Sequence, residues 1–227
     1  MFLQIGHADS PKATSIAAAI DERPPNSAAG DTITGVKDIE KAHRSLWGEF
    51  PNVVLLAEES AVKRHPEYAA AKAGDVGAAK RMVAQFIDVH MLAGLTQLVA
   101  GRSPKLLPVH AVEVGGINRI PSAMAELLSE RMGLEVEDAI VQANTAGHTG
   151  ASGWARLARP AVFDGDVARG QDYLLVDDFV GQGGTLANLR GHVLAGGGNV
   201  IGAITLTGKG YSATLALTQD ALDALSN

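Results

Sequence analysis

One stretch, Tyr173 to Ala187, restricts the fold more than any other. Tyr173, Leu174, Leu175 and Val176 read as a buried strand with Asp177 and Asp178 at its end. Gly181, Gly183 and Gly184 surround Gln182 in a turn, and Thr185 to Leu194 reads as a helix stopped by Gly196, Gly197 and Gly198. Val200 to Leu206 is the next strand. Strand, tight turn, helix and strand in that order predict parallel neighbours joined by a crossover, in a sheet covered by helices. The same turn suits a phosphate. Its glycines let backbone N–H groups converge, and the helix N-terminus adds a favourable dipole. The paired carboxylates are acceptors for sugar hydroxyls, each charge-assisted hydrogen bond contributing roughly 1.5–3 kcal/mol.

The chain before this unit repeats the alternation. Leu106 to Val114 is a β-like run, Gly115 to Arg119 a loop, and Pro121 opens a helix whose apolar face holds Ala123, Leu127, Leu128 and Met132, ending near Gly133. Glu135 to Gln142 reads as another strand, and Asn144 to Gly170 as a long glycine-rich loop. Further upstream, Asp75 is the N-cap of one helix running to Ala100, with Ala79, Met82, Val83, Phe86, Ile87, His90, Met91 and Leu95 at helical spacing. Lys63 to Lys72 reads as a polar helix, and Asn52 to Ala57 fits a helix or a strand. The fold class expected is α/β: a largely parallel twisted sheet with helices on both faces and a helical N-terminal extension. Residues 1–73 are expected to form the extension, either a hood over the site or an attached module, and 74–227 the α/β domain.

Composition narrows the function classes. The net charge is −6 and no long Lys/Arg cluster occurs, so no nucleic-acid partner is expected. Without cysteine there are no disulfides, thiolate zinc sites or thiol nucleophiles. The start lacks the basic and apolar regions of a signal peptide, and no run approaches the roughly 20 apolar residues of a membrane span. A soluble cytoplasmic protein without membrane partners is the expectation.

Residues Leu174 to Thr185 resemble the ribose-phosphate-binding motif of the type I phosphoribosyltransferases: an apolar strand, two acids, and a short loop closed by Gly and Thr. The likeness covers about residues 106 to 207. It implies an enzyme that moves ribose 5-phosphate from phosphoribosyl pyrophosphate (PRPP) to a nitrogenous base, releasing pyrophosphate, with Mg2+ as cofactor and a homodimer as the usual assembly. Asp177 and Asp178 would take the ribose 2'- and 3'-hydroxyls. Gly181, Gln182, Gly183, Gly184 and Thr185 would hold the 5'-phosphate; Gln182 stands where the family usually has Thr. Mg2+ keeps several waters and rides on substrate oxygens, so no protein cage is expected, only contact through water to Asp177 or Asp178.

Two other loops fall where the family has catalytic segments. Gly115, Gly116, Asn118 and Arg119 occupy the place of the pyrophosphate loop. Asn144 to Arg159 resembles the mobile flap, loosely of the orotate branch, with His148, Arg156 and Arg159 as candidates to stabilise departing pyrophosphate and Trp154 to seal the lid. Plainer readings stand beside these: a glycine turn, solvated arginines, an exposed histidine and a core tryptophan. His7, His43, His65, His110 and His192 show no metal-ligand spacing, His90 reads as a packed residue, and Lys209 to Tyr211 as a turn with a half-buried tyrosine. The competing functions are a non-catalytic regulator of the same fold that binds PRPP or a nucleotide, and an unrelated nucleotide-binding α/β protein, such as a hydrolase of phosphorylated sugars.

Overall fold

A computed structural model of the chain describes residues 43–110, 112–113, 116–144 and 160–216. Its centre is the expected strand, here β7 (Asp172–Val180). β7 runs parallel to β8 (Asn199–Gly208) on one side and to β2 (Lys105–Pro108) on the other. The short β1 (Val54–Leu55) pairs parallel with β8, so the order is β1-β8-β7-β2. Outside β2, a parallel bridge from Leu106 to Val136 extends the edge.

Strand alternation sends side chains to two separate cores. Leu106, Leu174, Val176, Ile204 and Leu206 face one cluster. It is filled from α1 (Glu59–Lys63), α2 (Tyr68–Lys72), α3 (Val76–Val83), α4 (Val89–Val99) and α5 (Ile120–Met132). Leu107, Tyr173, Leu175 and Ala203 face the other cluster, with Leu186, Leu189 and Val193 of α6 (Gly184–Ala195) and with Phe50 and Val53. Burial on both faces explains why these strands read as continuous apolar runs. The α/β class, the parallel sheet and the helices on both faces are as the sequence predicts.

Several local readings need correction. The helix expected from Asp75 to Ala100 is two helices. Asp75 caps α3 through Ala78 N at 2.9 Å, but Asp88 also accepts from His90 N and Met91 N, both at 2.9 Å, and starts α4 afresh. A second capping carboxylate competes successfully with helix continuation, because it satisfies two amides that otherwise lack partners. His90, at the first turn of α4, is exposed rather than packed. The polar helix expected over Lys63 to Lys72 is α1 followed by α2, and Asn52 to Ala57 resolves to a strand.

The run from Leu106 stops at Pro108, and Val112–Glu113 (β3) instead forms a small antiparallel pair with Gly116–Ile117 (β4). Of the strand expected over Glu135 to Gln142, only the Val136 bridge and Val141–Gln142 (β5) are extended; β5 pairs antiparallel with Phe163–Asp164 (β6). Tyr211 lies in a 3-10 turn, Gly210–Ala213, and is 79% exposed rather than half-buried. Among the described residues no helix is long and apolar enough to cross a membrane.

Candidate functional site

Asp177 and Asp178 lie within β7 past its pairing with β2, whose last registered pair is Pro108 with Val176. Both are buried, at 7% and 8% exposure. Buried carboxylates need partners, and each has one. Asp178 N donates to Asp177 Oδ1 at 2.8 Å, and Lys72 Nζ donates to Asp178 Oδ2 at 3.0 Å. Burial, and after it the neighbouring Asp178 charge, pushes the Asp177 carboxyl well above the usual carboxylate range. Each carboxylate has lone pairs left over for a hydroxyl, since two oxygens offer about four acceptor sites.

The glycine turn follows directly. Gly183 is the N-cap of α6 with φ +68°, a left-handed conformation suited to glycine. A Cβ there would also stand 2.6 Å from Leu215 Cδ2, so the leucine side chain would have to move aside. Among the described residues, the backbone amides of Gly181 through Leu186 donate to no protein acceptor, and α6 has no side-chain cap. Unpartnered amides at a helix N-terminus are the kind of donors that can receive an anion. Thr185 is half-buried beside them and Gln182 is exposed. The Gly181 carbonyl accepts from Ser212 Oγ, which ties the turn to the 3-10 segment.

A stretch that sequence reasoning had not connected to the turn lies across α6. Ser45 N donates to Ala187 O at 3.3 Å, and Arg190 donates to Ser45 Oγ at 2.9 Å and to Leu46 O. The Arg190 guanidinium also sits over the rings of Trp47 and Phe50. Gly191 makes the crossing possible, since a Cβ would collide with the His43 carbonyl. This strap carries Arg44 to the turn: Arg44 Nη1 is 3.9 Å from where a Cβ on Gly184 would be. No local sequence signal marks Arg44, because the contact is made between distant segments.

The loop before α5 is the second part of the site. Gly116 has φ +130° and packs on Ala73, and Arg119 N donates to Ala71 O at 3.2 Å. Asn118 is 3% exposed, and its Oδ1 accepts from Ile120 N at 3.2 Å, fixing the start of α5. Arg119 Nε is buried without a hydrogen-bond partner among the described residues, as is His110 Nε2. His110, read as bland in the sequence, stands just past the end of β2, with Nε2 3.7 Å from Asp138 Oδ1 and Nδ1 3.5 Å from Ser122 Oγ. Its ring pKa is pushed down, first by burial; Asp138 opposes that and Arg119 reinforces it. Gly115, His148, Trp154, Arg156 and Arg159 lie outside the described residues.

No group of three or more His, Asp or Glu side chains among the described residues could hold a metal ion. Asp178 is paired to Lys72, and one Asp177 oxygen is taken by a backbone amide.

Against known proteins, no family model matches the chain. It is 42% identical over 177 residues to protein TraN of Escherichia coli, an overlap of 78% of this chain and 40% of that protein. It is 36% identical over 152 residues to an uncharacterized protein of Haemophilus influenzae, covering 66% of this chain and 34% of the other. The chain thus spans about a third to two-fifths of the length of these curated relatives. Among solved structures, the adenine phosphoribosyltransferase of Thermoanaerobacter pseudethanolicus overlaps 56% of this chain and 72% of its own, at 18% identity and a TM-score of 0.33. So slight an overlap adds nothing to what the residues themselves support.

Proposed function

We propose that this chain binds PRPP with Mg2+ and transfers its ribose 5-phosphate to a nitrogenous base. One observation carries the reading: two adjacent buried carboxylates, Asp177 and Asp178, lead through β7 into a turn whose six amides, Gly181 to Leu186, donate to no protein acceptor among the described residues. A ligand with a ribose diol and a 5'-phosphate satisfies both ends. The Gly116–Arg119 loop, with the buried Arg119 Nε, supplies donors for a diphosphate. Such donors stabilise charge that builds on the leaving group, and holding base and sugar together removes much of the entropic barrier. Incubation with PRPP, Mg2+ and a panel of purine and pyrimidine bases tests this. Base-dependent release of pyrophosphate is expected, and failure to bind PRPP at all overturns it.

A second reading has its own observation. Both acids are committed to internal partners, Asp177 to the Asp178 amide and Asp178 to Lys72. A site whose acids are already held by the protein's own donors suits a regulator that reports PRPP or nucleotide levels. PRPP binding without pyrophosphate release for any base favours this alternative.

A further inference from the structure

Lys72 is the last residue of α2, in a chain segment to which the motif resemblance does not extend. The end of α2 touches both halves of the site. Lys72 Nζ is 3.0 Å from Asp178 Oδ2, with the two side chains only 24% and 11% exposed. On either side of Lys72, Ala71 O accepts from Arg119 N, and Ala73 O would stand 2.6 Å from a Cβ on Gly116. The next residue, Gly74, lies against the Ile117 carbonyl. Four consecutive residues therefore join the acid pair to the Gly116–Arg119 loop, and the one cationic side chain among them reaches into the site.

We propose that Lys72 is a ligand-binding residue that contacts the diphosphate of PRPP. This deepens the proposed function and rests on it. Lys72 pairs with Asp178 in this structure. When ribose hydroxyls occupy the Asp178 carboxylate, the ammonium is handed to the diphosphate oxygens brought in beside Arg119. Exchanging one anionic partner for another keeps the ammonium paired at both stages, and the ribose hydroxyls replace it as donors to the carboxylate, so neither group is left unsatisfied. An ammonium on a flexible four-carbon stem can make that transfer, since it is a compact point charge with three rotatable donors.

The test is calorimetric titration of PRPP with Mg2+, and separately of ribose 5-phosphate, into the wild-type chain, Lys72→Gln and Lys72→Arg. Gln can still donate to Asp178 but carries no charge. The expected result is at least a tenfold loss of PRPP affinity in Lys72→Gln, less than a threefold change for ribose 5-phosphate, and recovery of most PRPP affinity in Lys72→Arg. A loss of one charge-assisted hydrogen bond corresponds to about 10-fold or more. Equal losses for both ligands, or no loss, overturn the role of Lys72 while leaving PRPP binding intact. Absence of PRPP binding by the wild-type chain overturns the proposed function and the role of Lys72 together. Should Lys72→Gln not fold, Asp178→Asn gives an independent readout with inorganic pyrophosphate and Mg2+. Removing the Asp178 charge that competes for Lys72 should tighten pyrophosphate binding at least threefold, and unchanged affinity overturns the inference.

Discussion

Gly116 lies so close to Ala73 that a Cβ on the glycine would stand 2.6 Å from the Ala73 carbonyl oxygen. The obstacle is backbone, and Gly116 also has φ +130°. Gly116→Ala therefore combines a forbidden conformation with a collision that no rotamer change relieves. We expect a loss of about 2 kcal/mol, read as a fall in melting temperature of roughly 4–8 °C for a chain of this size. Calorimetry that finds the melting temperature unchanged would show that the loop shifts away from α2 without cost.

Asp177 gives a pH dependence whose sign is fixed by the direction of its shift. Burial raises its folded-state pKa above the unfolded value. The folded state then binds more protons, so stability is highest below the unfolded pKa, about 4. It falls as pH rises from there toward the folded pKa. Asp177→Asn cannot ionise and keeps an oxygen to accept from Asp178 N. Relative to wild type, the variant should gain stability as pH rises above about 4 and show no advantage below that. Denaturation midpoints measured from pH 3 to 8 check this; parallel curves for the two proteins would contradict it.

Replacing both acids isolates their binding role. Asp177→Asn with Asp178→Asn preserves volume and hydrogen-bonding shape. Two charge-assisted contacts at roughly 1.5–3 kcal/mol each predict a loss of PRPP affinity of at least about a hundredfold. Circular dichroism should remain that of the wild type. Retained affinity in the folded double variant would remove the ribose from this position.

Arg190 holds the strap over α6 by donating to Ser45 Oγ and the Leu46 carbonyl while stacking near Trp47 and Phe50. Truncation in Arg190→Ala loses packing as well as charge. Trp47 fluorescence should move to the red, and proteolysis between residues 43 and 50 should accelerate about tenfold, the equivalent of roughly 1.4 kcal/mol of local stability. An unchanged spectrum would mean that Phe50, buried in the second core, anchors the strap unaided.

The sequence disclosed what is encoded locally. β7, the glycine turn and α6 were legible because the apolar run, the acids and the glycines adjoin one another, and the alternation from Leu106 onward was enough for the α/β class. Element ends were harder. Asp88 interrupts a helix whose apolar spacing continues across it, since periodicity does not register a competing cap. Asn52 to Ala57 stayed ambiguous because a short apolar run pairs as a strand only when a neighbour such as β8 is present. The parts of the site contributed from a distance had no sequence signal: Lys72 meets Asp178 across 106 residues, and Arg44 reaches Gly184 only because Gly191 lets the strap cross. His110 was passed over because its spacing to other histidines was uninformative; its nearby groups, Asp138 and Ser122, come from elsewhere in the fold.

The strand order has a bearing on biosynthesis. Among the described residues β1 pairs only with β8, Val54 opposite Ile204, so this segment finds its place in the sheet only after a much later one has left the ribosome. Until then Val53 and Leu56, buried in the finished protein, have no β8 beside them to cover. Nascent chains arrested before residue 199 should therefore expose this hydrophobic edge to chaperones, and adding β8 should withdraw it.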